Sequence, residues 1–62
     1  MLDIIKELKA VLEDKEISPE MAARFIGTSG REVRRWIEDG VTPNFLSRQA
    51  IKKGIAKIKR EL

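Results

Sequence analysis

Helix starts and stops crowd the middle of this chain so closely that only short helices fit between them. Ser18-Pro19 joins a capping hydroxyl to a proline suited to the first helical position. Met21, Ala22, Phe25 and Ile26 follow as an apolar stripe that stops at Gly27. Glycine is the usual residue just past a helix because no Cβ opposes the left-handed conformation. Ser29-Gly30-Arg31-Glu32 then reads as a capping box, so another helix opens almost at once. Its inner stripe is Val33, Trp36 and Ile37, and Asp39-Gly40 ends it. The punctuation predicts helices over about 19–26 and 30–39.

Longer helices flank this pair. Asp3 can cap a start, and Ile4, Ile5, Leu8, Val11 and Leu12 recur at helical spacing, with Lys6, Glu7, Lys9 and Glu13 outward. That pattern predicts a helix over about 3–15. Thr42-Pro43-Asn44 is a connector and a fresh start. Beyond it Leu46, Ala50, Ile51, Ile55, Ile58 and Leu62 keep the helical period over about 44–60. Gly54 reads as a weak point there, costing roughly 1 kcal/mol against alanine. No segment alternates with period two. Residues 1–62 are therefore expected to form one all-α domain of four to five helices.

So small a chain buries only roughly 60% of the surface it exposes when unfolded. It has no cysteine and no histidine, which removes disulfide staples and the usual zinc ligands. A core must come from well-patterned helices or from a second copy. No run approaches the roughly 20 apolar residues of a membrane span and no signal-peptide pattern is present, so the cytoplasm is the expected compartment. Catalysis is not expected either. A serine or threonine nucleophile would have no evident base, no carboxylate pair marks a cleft, and no cofactor is implied. Charge is more informative. Residues 1–20 hold three Lys against six acids, a balance of −3, whereas residues 21–62 hold ten Lys or Arg against four acids, a balance of +6. That asymmetry fits a polyanionic partner for the basic part, and also an ordinary solvated surface.

Ala23, Gly27, Val33 and Trp36 occupy positions 5, 9, 15 and 18 of a 20-residue frame that begins at Pro19. A small side chain at Ala23 allows a close helix crossing, Gly27 makes the turn, and Val33 with Trp36 pins the second helix. In this register the chain resembles the helix-turn-helix domains of the lambda-repressor/Cro (XRE-type) class over about residues 4–58. It departs from that pattern at Thr28, where an apolar residue is usual, and at Gly30, where a contacting side chain is common. The stretch VRRWIEDGVTP, residues 33–43, is also similar to MerR-like and excisionase-like proteins. Those normally add a β-hairpin wing after it and lack the long preceding helix. The repressor-like resemblance implies duplex DNA binding and transcriptional control in a bacterial, phage or archaeal setting. It also implies a weak or DNA-induced homodimer, for which the apolar residues of helix 44–60 are the expected contact.

The helix over 30–39 has two sides. With Val33 at zero and about 100° per residue, Trp36 and Ile37 fall within about 60°, Arg31 and Arg35 roughly opposite with Glu38 beside them, and Arg34 on a flank. Arg34 can pair with Glu38 and Arg35 with Asp39 at i,i+4, which would give a self-neutralised, solvated face. Under the helix-turn-helix register the same residues would face DNA. The candidate contacts are Thr28, Ser29, Arg31, Arg34, Arg35 and Glu38, joined by Lys52 and Lys53 from the last helix. The basic face of that helix reads first as ordinary solvated surface and, as the alternative, as phosphate contacts. A membrane-surface role would compete with the core for its apolar side. The alternative of another class is a helix-turn-helix module that binds an acidic protein partner.

Overall fold

The computed structural model describes residues 3–62. Among them are four helices and no strand: α1 (Ile4–Lys15), α2 (Pro19–Ile26), α3 (Gly30–Ile37) and α4 (Phe45–Glu61). The all-α expectation holds, with four helices among the described residues, and α3 ends two residues before the expected boundary.

Each start has a side-chain acceptor in place. Asp3 accepts from the Ile5 amide at 3.0 Å, Ser18 from Met21 at 3.2 Å, Ser29 from Glu32 at 3.2 Å and Asn44 from Ser47 at 2.8 Å. A cap of this kind typically contributes about 1 kcal/mol, because it satisfies an amide that has no intrahelical partner. The end of α1 is less expected. Glu16 adopts the left-handed conformation at φ 53°, and the Ile17 amide donates back to the Leu12 carbonyl at 3.1 Å. That closure places Ile17 against the core and matches the Schellman arrangement, without the glycine that normally serves it.

α4 packs against α2 and α1, while α3 packs against α2 and, less extensively, α1. Leu8, Val11 and Leu12 of α1, Ala22, Ala23 and Ile26 of α2, Val33 and Trp36 of α3, and Ile51, Ile55 and Ile58 of α4 form one buried cluster. Burying a side chain the size of Leu or Ile stabilises by roughly 1.5–3 kcal/mol, so this shared cluster is what makes four short helices one unit.

Four expectations change. Gly54 is not simply a weak point: it is buried, and a Cβ there would lie 2.5 Å from Ile26 Cγ1 and 3.0 Å from Ile26 Cα. The missing side chain lets α4 approach the backbone of α2. The apolar stripe of α4 is also shorter than its periodicity implies, since Leu46 is 77% exposed and Leu62 is exposed as well. Met21 on α2 likewise faces outward. Finally, Ile51, Ile55 and Ile58 are used within the chain, so they are not free for contact with a second copy.

Candidate nucleic-acid interface

The local geometry begins at the end of α2. Gly27 takes φ 91°, a conformation in which a Cβ would be strained, and its amide donates to the Ala23 carbonyl at 2.7 Å. The Thr28 amide donates to the same carbonyl at 3.0 Å. The chain thus reverses within residues 27–29, and α3 starts under the Ser29 cap. Buried Ala22 and Ala23 present little bulk on the α2 side, and fully buried Val33 with Trp36 (3% exposed) fills the interface from α3.

The opposite side of α3 is exposed and carries Arg31, Arg34 and Arg35. Eight residues at about 1.5 Å each make α3 about 12 Å long, comparable to the width of a B-DNA major groove. The placement of the arginines agrees with the helical projection, but their ionic partners do not. Arg34 pairs with Glu20 at the start of α2, and Arg35 Nη1 lies 3.8 Å from Glu32 Oε2. Neither uses the i,i+4 partner expected on its own helix. Two differences account for this. α3 ends at Ile37, so Asp39 no longer stands on a helical turn above Arg35, and Glu20 reaches across from α2. Arg31 has no carboxylate within ion-pair distance among the described residues. Glu32, engaged toward Arg35, supports the capping box only through its backbone amide.

Glu20 is the residue that sequence reasoning does not single out. Its side chain lies along Gly30, where a Cβ would come 2.7 Å from Glu20 Cγ and 3.2 Å from Glu20 Cα. The bare start of α3 is therefore the space through which Glu20 reaches Arg34. Both members of the pair are about half exposed, at 49% for Glu20 and 52% for Arg34. Solvent screening at that exposure limits the contribution to stability to about 0–1 kcal/mol.

The remaining candidates divide. Thr28 is partly buried and Ser29 exposed, both at the N-terminal end of α3. Glu38 and Lys52 line an open groove of about 900 Å³ together with Ile4, Ile37, Val41 and Phe45. None of the three α3 arginines lines that groove. Lys53 is exposed on α4 and lies outside the groove as well. No helix among the described residues is long and apolar enough to cross a membrane. No family model, curated protein or solved structure matches this chain.

Proposed function

We propose that this chain is a sequence-specific duplex DNA-binding domain, acting in the cytoplasm as a small transcriptional regulator rather than as an enzyme. One observation carries the reading: an eight-residue helix is anchored by Val33 and Trp36 on its inner side and presents Arg31, Arg34 and Arg35 on its outer side. A helix of that length can lie in the major groove, where an arginine grips guanine O6 and N7 with two hydrogen bonds. The Pro19-based frame supplies further support by its resemblance to the lambda-repressor/Cro helix-turn-helix. The MerR-like alternative is less favoured, because after α3 the chain continues into α4 and not into a β-hairpin.

In this reading α3 enters the groove, Arg31 and Arg35 address base edges, and Thr28 and Ser29 meet the phosphates beside the helix start. Lys52 and Lys53 add sequence-independent attraction from α4. A second copy joins on DNA through Phe45 and Leu46, the large apolar side chains left exposed at the start of α4, at 68% and 77%. Two copies would double the base pairs read, with half-sites about one helical turn apart.

Selection of bound sites from a pool of random duplexes tests the proposal. Enrichment of one short motif, with binding that weakens steeply as salt rises, is the expected result. A pool that stays random through repeated rounds would refute it. Salt-sensitive capture of an acidic protein in its place would support the protein-association reading.

A further inference from the structure

The pairing of Glu20 with Arg34 has a consequence for DNA affinity, provided that α3 is the DNA-binding helix as proposed above. We infer that Glu20 is a resident competitor of DNA phosphate for Arg34, and that it lowers the affinity of this domain for every duplex. Two separate features put it in that position. Its carboxylate contacts the Arg34 guanidinium directly, and its stem runs along Gly30 at the start of α3, a path that a Cβ would obstruct. The pair is half exposed, so it can open without a large desolvation cost when a phosphate arrives.

A guanidinium that already holds a carboxylate loses that partner when it takes a phosphate, so the gain from the phosphate is partly cancelled. The carboxylate then remains near the polyanion as a like charge. Both effects act on phosphate contact and carry no base information, so matched and unrelated sequences are weakened alike. Such a restraint suits a small domain, because non-specific binding is almost wholly electrostatic and sequesters the protein on unrelated DNA. Arg31, which lacks a carboxylate partner among the described residues, is under no such restraint.

Glu20→Gln tests this, because glutamine keeps the shape of the side chain and removes its charge. Dissociation constants are measured by fluorescence anisotropy on a selected duplex and on its scrambled counterpart, across a salt series. The variant should bind both about three- to tenfold more tightly at low salt, with a salt slope steeper by about one phosphate contact. Its melting temperature should stay within a few degrees of the parent, as for a surface pair. In the Arg34→Ala background the same substitution should give only the smaller part of that gain, the part due to the like charge of Glu20 near the phosphates. Unchanged or weaker binding by Glu20→Gln, with the parent still selective, would overturn the inference and leave the DNA-binding reading standing. A full gain that persists without Arg34 would also overturn it, since Glu20 would then repel DNA directly. A parent that binds neither duplex at any salt would remove both readings together.

Discussion

α3 and α4 are both basic helices, yet they present charge in different ways. α3 carries three arginines and one glutamate, and two of those arginines are held by carboxylates, one from α2 and one from α3 itself. α4 carries six lysines or arginines and one glutamate, and only Lys59 lies within ion-pair distance of a carboxylate, 3.9 Å from Glu7, among the described residues. The shorter helix has the smaller charge and the more fixed arrangement. A planar guanidinium on a short anchored helix suits a base edge, which it can grip with two bonds, while the ammonium point charges that predominate on α4 suit phosphate. Charge total alone would favour α4 as the specific reader, whereas the chemistry and placement of the charged groups favour α3.

The difference depends on how each helix is anchored, and that can be broken. Trp36 is the large aromatic side chain that α3 commits to the core. Trp36→Ala should cost about 3–5 kcal/mol, the usual range for removing a buried tryptophan side chain. A small domain has little more than that to lose, so thermal unfolding followed by circular dichroism should show a collapse of the transition. A nearly unchanged melt would mean that α3 is not held by its inner face.

α4 is anchored by close approach. Gly54→Ala should destabilise by about 1–3 kcal/mol despite the better helix propensity of alanine, because the new methyl group meets Ile26 side chain and backbone. Denaturant titration distinguishes the two signs, and stabilisation would show that the helices can move apart at no cost. The smallest effect belongs to the end of α1. Glu16→Gly should stabilise by up to about 1 kcal/mol, since glycine accepts φ 53° without the penalty a Cβ incurs. A lower melting point for that variant would mean that the Glu16 side chain contributes more than its backbone costs.

The helices are legible in the sequence because caps and apolar spacing act within one helix. Ser18, Gly27 and Ser29 announce α2 and the reversal into α3 through short-range chemistry, and Val33 and Trp36 mark the inner face correctly. Relations between helices are harder to see. Propensity makes Gly54 a flaw because it ignores the neighbour, and the close approach to Ile26 exists only once α4 lies on α2. Helical spacing offers Arg34 a partner on its own helix, whereas Glu20 reaches it across the turn. Leu46 keeps the period of α4 but lies beyond the part that α1 and α2 cover, so periodicity overstates the buried stripe. Gly30 is the one available hint of the Glu20 contact, a side chain missing where α2 passes close by.

If α3 reads bases while α4 only attracts DNA, single substitutions on the two helices must differ in kind. Arg31→Ala and Lys53→Ala, each measured on the selected duplex and its scrambled counterpart over a salt series, test this most directly. Arg31→Ala should lose roughly 1–3 kcal/mol on the selected duplex, far less on the scrambled one, and relax preference at one or two base positions. Lys53→Ala should weaken both duplexes similarly and flatten the salt slope by about one unit. Equal losses on both duplexes for Arg31→Ala, matching the lysine variant, would contradict the claim that the shorter helix is the reader.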